Sequence, residues 1–290
     1  MCRLFGMSGG AEPVEATFWL LQAPDSLSQQ SRREPDGTGL GWFTPDGWPH
    51  ISKQALAAHD DRAFARQAQR LRSRTFVAHV RYATTGSLQP KNTHPFEQQG
   101  RLLAHNGMVE DLDRLEQELG PDRRLVHGDT DSERLFALIT REIGDTGDVG
   151  AGIASAARWV AENLRMLAIN LILIDAGDLW ALRYPEVHPL FVLERPAGGT
   201  PSAGPDGAAL DHARGGRIRA TSAELAERPA VIVATEKMDD DPGWRPMASG
   251  ELLHVDASLS CTYRQILDEP PAHPLSLAEL EGHAAAAQRA

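Results

Sequence analysis

The segment that most constrains this chain is residues 75–86, TFVAHVRYATTG. Phe76, Ala78, Val80 and Tyr82 alternate with Val77, His79 and Arg81. A period of two is the repeat of an extended strand, whose successive side chains leave on opposite faces. The strand ends with Arg81 just before a turn at Thr84 to Gly86.

Further strands are expected at residues 2–9 and around Leu40 to Phe43, where the second follows a loop rich in glycine (Gly37, Gly39, Gly41). RLLAH runs into Asn106-Gly107. NLILID and DLWALR flank Ala176-Gly177 as a hairpin, and PLFVLE, AVIVAT and ELLHVD follow. Helical periodicity appears at 14–23 (Val14, Phe18, Leu21), at 58–72 (Phe64, Ala68, Leu71) and through Leu112, Leu115 and Leu119. TDSE at 130–133 fits a capping box, in which the Thr130 hydroxyl and the Glu133 carboxylate satisfy N–H groups at a helix start. Leu135, Leu138 and Ile139 form the buried face of that helix. A last helix is expected over 150–167, through Ile153, Val160 and Leu164. Strands and helices partly segregated in this way suit an α+β fold, two packed sheets between helices.

With 290 residues, 41% of them hydrophobic, the chain can bury a substantial core without disulfides or metals. Residues 194–229, heavy in Gly, Ala and Pro, read as a long mobile loop. Residues 266–290 read as a weakly structured tail. Net charge is -11, and no basic run stands out, which argues against nucleic acid or an anionic membrane as partner. The N-terminus lacks a signal-peptide core, and MLAINLILI at 166–174 is too short to span a bilayer. A cytoplasmic protein is expected. Cys2 and Cys261 form neither a metal pattern nor a disulfide framework.

Five features carry chemistry. Cys2 directly follows Met1. Removing Met1 would leave a thiol and a free α-amine on one residue, and an α-amine titrating near 7.7–8.0 can take the thiol proton. Arg81, at a strand end, can clamp a carboxylate with two parallel bonds. Asn106-Gly107 is first a turn signal, yet an Asn NH2 beside a Gly N–H can also stabilise an oxyanion. Asp131 suits the helix dipole and could equally face a ligand ammonium group. His79, His94 and His105 lack metal-ligand spacing, so they read as core or loop histidines bonded to neighbours. A cation, an anion, a nucleophile and oxyanion donors together describe a site for glutamine, which carries a carboxylate, an ammonium and a primary amide.

In order, MCRLFG, HVRYATTG, NTHPF, HNG and GDTDSE resemble the class II glutamine amidotransferases, members of the N-terminal nucleophile hydrolases. The resemblance is specific from Cys2 to about Phe136 and looser to about residue 265. It implies a single domain over 2–265 with a four-layer αββα sandwich, and no cofactor or metal. It also implies Cys2 as nucleophile, Arg81 as holder of the substrate α-carboxylate, Asn106 and Gly107 as the oxyanion hole, and Asp131 as partner of the α-amine. Thr84 and His94 would line the glutamine site. The position of Thr85 often holds histidine in aminosugar-forming members, a departure here.

The implied reaction is hydrolysis of the glutamine side-chain amide through a Cys2 thioester, giving glutamate and ammonia, with a synthase as possible ammonia acceptor. The short chain also resembles standalone members, such as that of ergothioneine biosynthesis, which cleaves a γ-glutamyl amide on a small molecule. A non-enzymatic γ-glutamyl-binding regulatory module would keep Arg81 and Asp131 but would not need Cys2. A thiol redox sensor would need Cys261 as resolving partner.

Overall fold

The computed structural model describes residues 2–82, 87–196 and 228–280. Thr84, Thr85, most of the 194–229 segment and residues 281–290 lie outside the described residues. The chain runs β1 (Arg3–Ser8), β2 (Val14–Glu15), α1 (Leu27–Gln30), β3 (Gly37–Phe43), β4 (Pro49–Gln54), α2 (Arg62–Ala68), β5 (Arg72–Ser73), β6 (Thr75–Arg81), β7 (Phe96–Gln98), β8 (Arg101–Val109), α3 (Leu112–Leu119), α4 (Asp131–Thr146), α5 (Val149–Asn163), β9 (Arg165–Ile174), β10 (Leu179–Arg183), β11 (Phe191–Arg195), β12 (Ala230–Ala234), β13 (Arg245–Pro246), β14 (Glu251–Val255), β15 (Cys261–Gln265) and β16 (His273–Pro274).

Every residue of β6 is buried, polar ones included, so this strand is covered on both faces. Its alternation separates two apolar layers. Phe76, Ala78 and Val80 pack with Phe5, Met7, Trp19, Leu20 and Phe64, under α1, α2 and a π-helical turn at Phe18–Gln22. Val77 packs with Leu4, Leu102, Ala104, Ile172 and Leu179, between the sheets. A third layer joins Leu103, Leu171 and Leu173 to Leu135, Leu138 and Val160 of α4 and α5. Each such aliphatic side chain, fully buried, contributes about 1.5–3 kcal/mol of transfer free energy.

The first sheet has the order β13-β11-β12-β1-β6-β3-β4, and the second β15-β14-β10-β9-β8-β7. Their pairs are antiparallel, except that β16 joins β9 in parallel. The architecture is an α+β sandwich of two antiparallel sheets flanked by helices. At Gly6 the sheets come so close that a Cβ would sit 2.8 Å from Ile172 Cγ2.

Several expected elements differ. Residues 14–23 do not form one helix: Val14 pairs with Ser73 in a two-residue ladder, and only Phe18–Gln22 turn helically. The 58–72 helix contracts to α2, capped by Asp61, whose Oδ1 accepts the N–H groups of Ala63 and Phe64. The last helix ends at Asn163, and the apolar run after it is β9. A short apolar run fits a buried helix or a buried strand equally well, and here the sheet claims it. The capping box is half realised. Thr130 Oγ1 accepts the Glu133 N–H at 3.3 Å, but the Glu133 carboxylate accepts from Gly128 N–H. Part of the expected weak tail is packed, since Leu275 and Leu280 are buried against Met108 and Leu167.

Candidate active site

Of the residues singled out as a site, Cys2 and Asp131 lie within the electrostatic reach of Arg81, and Asn106 lies on the inter-sheet face of its strand. Cys2 precedes β1, in which Leu4 and Gly6 face the second sheet. Register pairs Arg3 with Val80 and Leu4 with His79, so Cys2 comes opposite the end of β6, where Arg81 sits. The Cys2 thiol donates to the Tyr82 carbonyl, and its sulfur accepts the Tyr82 N–H, both at 3.3 Å. Burial is the chief cause that pushes the thiol up to about 11. It is therefore protonated at neutral pH, and attack through sulfur requires a base within reach.

Arg81 is 3% exposed, and its Nη1 donates to the Ser87 carbonyl at 3.2 Å. Burial lowers its pKa, while Cys2, Asp36 and Asp131 raise it, which places all three acidic groups in its electrostatic neighbourhood.

Across the layer, β8 packs against β1 and β6. Its Leu102 and Ala104 face the first sheet, and alternation puts Asn106 on that face. The two atoms of the Asn106 amide, Oδ1 and Nδ2, are buried without a hydrogen-bond partner. A buried unsatisfied amide costs roughly 1–3 kcal/mol, and its retention calls for an explanation. Asn106-Gly107 is not a turn. Both residues lie within β8, opposite Asn170 and Ile169. Gly107 is there because a Cβ would fall 1.8 Å from the Ala168 carbonyl oxygen.

His105 takes the other face of β8 and meets α4, with Nδ1 3.0 Å from Ser132 Oγ and Nε2 3.3 Å from Ala168 O. Asp131, the first residue of α4, accepts the Val109 N–H through Oδ2 at 3.0 Å, just past a register shift in β8. One carboxylate oxygen thus ties the helix start to the strand that carries Asn106.

His94 is buried beside these groups, its carbonyl pressed onto Gly39, where a Cβ would fall 1.8 Å from the His94 oxygen. Its ring lies 4.2 Å from that of His79 and 4.7 Å from that of Phe96. The expectation that all three histidines bond to neighbours fails for His94, neither of whose ring nitrogens has a hydrogen-bond partner. Burial, then the Arg81 charge, holds His79 down at about 3; burial, then His79, lowers His94. Both are neutral at physiological pH. Among the described residues, no three His, Cys, Asp or Glu groups are placed to hold a metal ion.

The family model of class-II glutamine amidotransferases matches residues 1–270. The chain belongs to the class-II glutamine amidotransferases. As a member it is an enzyme of the cysteine-nucleophile hydrolase type. It is 28% identical over 265 residues to the γ-glutamyl-hercynylcysteine sulfoxide hydrolase of Mycolicibacterium smegmatis, covering 88% of this chain and 96% of that protein. It is 29% identical over 290 residues to the amidophosphoribosyltransferase of Escherichia coli, covering 94% of this chain but only 50% of that protein. Among solved structures, a glutamine aminotransferase class-II domain protein from Silicibacter pomeroyi superposes with a TM-score of 0.59 at 19% identity, covering 92% of this chain and all of that one. That likeness concerns the fold.

Within this amidotransferase domain, sequence reasoning passed over two buried groups near the site. Arg3 and Glu34 form an ion pair at 3.5 Å, 2% and 0% exposed, directly beside Cys2 in sequence or charge. Asn92, fully buried, was passed over inside NTHPF because nothing in a lone Asn signals burial. No helix among the described residues is long and apolar enough to cross a membrane.

Proposed function

We propose that this amidotransferase-fold enzyme hydrolyses a γ-glutamyl amide bond on a small metabolite. Cys2 is the nucleophile, Arg81 and Asp131 hold the γ-glutamyl α-carboxylate and α-ammonium, and the Asn106 amide with the Gly107 N–H stabilises the oxyanion. His94 borders the same site, and Thr84, expected to line it, lies outside the described residues. The observation that carries the hydrolytic reading is the buried, unpartnered Asn106 amide on the face of β8 turned toward the sheet that carries Cys2 and Arg81. An orphan donor in a water-poor site is costly at rest and useful when an oxygen there gains charge.

The chemistry runs in two halves. After loss of Met1, the α-amine of Cys2 accepts the thiol proton as sulfur bonds to the amide carbon. The tetrahedral oxyanion forms opposite Asn106. The C–N bond breaks as the α-ammonium protonates the departing amine, leaving a thioester. Water, giving its proton to the same amine, adds to the thioester carbon. The C–S bond breaks, and glutamate leaves with the thiol restored.

A small-molecule γ-glutamyl amide as substrate is supported by the Mycolicibacterium smegmatis relative, whose similarity runs over nearly its whole length. The second reading is hydrolysis of free glutamine, with ammonia passed to a synthase. It is supported by the likeness to amidophosphoribosyltransferase, of which the chain spans half. Supplying L-glutamine and γ-glutamyl amides, γ-glutamyl-hercynylcysteine sulfoxide among them, and measuring released glutamate separates the two. We expect the larger kcat/KM with a γ-glutamyl amide. Preference for glutamine would move the assignment to the second reading. Release from neither would leave a γ-glutamyl-binding module.

A further inference from the structure

One buried amide joins the two ends of the proposed clamp. Asn92 ends a short 3-10 turn, Pro90–Asn92, and is fully buried. Its Nδ2 donates to the Ser87 carbonyl at 3.2 Å, to Ser87 Oγ at 3.2 Å and to Asp129 Oδ2 at 3.1 Å. Its Oδ1 accepts the Asp129 N–H at 2.9 Å. The same Ser87 carbonyl accepts Arg81 Nη1. Asp129 lies in the turn that leads into α4, and Asp131 opens that helix. The turn presses on the amide: a Cβ on Gly128 would fall 2.7 Å from Asn92 Oδ1.

We propose that Asn92 is a positioning residue for substrate, fixing the separation between Arg81 and Asp131 through Ser87 and Asp129. The proposal rests on the reading of Arg81 and Asp131 as holders of an α-amino acid. A carboxylate and an ammonium on one carbon have a fixed spacing, so their two receptors must be held at a matching spacing. The receptors arise on different elements, one at the end of strand β6 and one at the start of helix α4. No covalent path shorter than the intervening chain sets their distance. Asn is the residue type that fits, because it must donate to the Ser87 and Asp129 oxygens and accept from an N–H. An aspartate would keep the acceptor only and would face the Asp129 carboxylate. Alanine would leave the Asp129 N–H and the Ser87 carbonyl without this partner.

The test is inactivation by 6-diazo-5-oxo-L-norleucine, an electrophile with the α-amino acid head, in wild type, Asn92→Ala and Asn92→Asp. Iodoacetamide, which lacks that head, is the second probe. We expect Ki for the diazo compound to rise about tenfold in both variants, the loss of one to two hydrogen bonds' worth of ordering. The limiting inactivation rate and the iodoacetamide rate at Cys2 stay within about twofold of wild type. An unchanged Ki, or a rise in Ki matched by an equal fall in both the limiting inactivation rate and the iodoacetamide rate, would overturn the role of Asn92 while leaving the site reading in place. A wild type that reacts with iodoacetamide but never with the diazo compound would overturn the α-amino-acid reading itself, and Asn92's role with it.

Discussion

Asn106 and Asn170 are direct cross-strand partners, yet one is saturated with hydrogen bonds and the other has none. Asn170 Oδ1 accepts the Tyr184 N–H at 2.9 Å, and its Nδ2 donates to the His188 carbonyl at 3.1 Å. Two identical side chains on neighbouring strands therefore answer to different demands. Asn170→Ala should cost about 1–3 kcal/mol, since it strands a buried N–H and a carbonyl. Asn106→Ala should leave stability unchanged or raised and lower kcat about 10²–10³-fold, the usual loss of one oxyanion donor. Denaturant midpoints and turnover on both variants check this. Equal destabilisation would make Asn106 a structural residue.

Cys2→Ala should retain the fold and lose turnover at least about a thousandfold. The pH dependence of alkylation gives a finer test. With the thiol held up at about 11 in the intact chain, the iodoacetamide rate should still be climbing above pH 9. The chain trimmed of Met1 should instead show a break near pH 8, where an α-amine titrates. Intact mass identifies which form is present in each sample.

Asp131→Asn keeps an oxygen for the Val109 N–H, so the tie between α4 and β8 should survive. It removes the negative charge facing an α-ammonium, and KM should rise by about tenfold or more with kcat less affected. Arg81→Lys should do the same for substrates bearing an α-carboxylate, because an ammonium cannot reproduce a bidentate fork. Unchanged KM in both variants would remove the clamp.

Acid sensitivity follows from the histidine pair. His79 titrates at about 3 in the fold and near 6.5 when unfolded. Between those values the unfolded chain binds the extra proton, so the stability contribution is complete above about pH 6.5 and is lost as pH falls toward 3. From pH 7 to pH 5 the loss from His79 is on the order of 2 kcal/mol. His94 is shifted in the same direction and adds to it. Urea midpoints at the two pH values should converge more closely in His79→Leu than in wild type.

Much of the fold was legible because period-two runs such as β6 state their own geometry. Tertiary context decided the rest. Asn106-Gly107 carries a strong local turn signal, but ladder partners on β9 hold it extended. The apolar run after Asn163 fits a helix or a strand by hydropathy, and pairing with β8 and β10 selects strand. Candidate residue types could be read from the sequence, and their roles from the resemblance to class II amidotransferases. Their placement could not, since Cys2, Arg81, Asn106 and Asp131 arise on different elements whose relative position depends on register. Asn92 was illegible for a similar reason: its partners, Ser87 and Asp129, flank it on either side of β7 and β8.

Strand β8 sends His105 to the helical layer and Asn106 to the space between the sheets, with Gly107 seated on the Ala168 carbonyl. A slip of one residue would exchange an imidazole for an amide on both faces at once. It would also bring a side chain onto a carbonyl that tolerates none. The missing Cβ of Gly107 thus acts as an alignment key: it admits only the pairing in which the amide faces the first sheet, so misaligned forms of the sheet are excluded by volume before any chemistry is attempted.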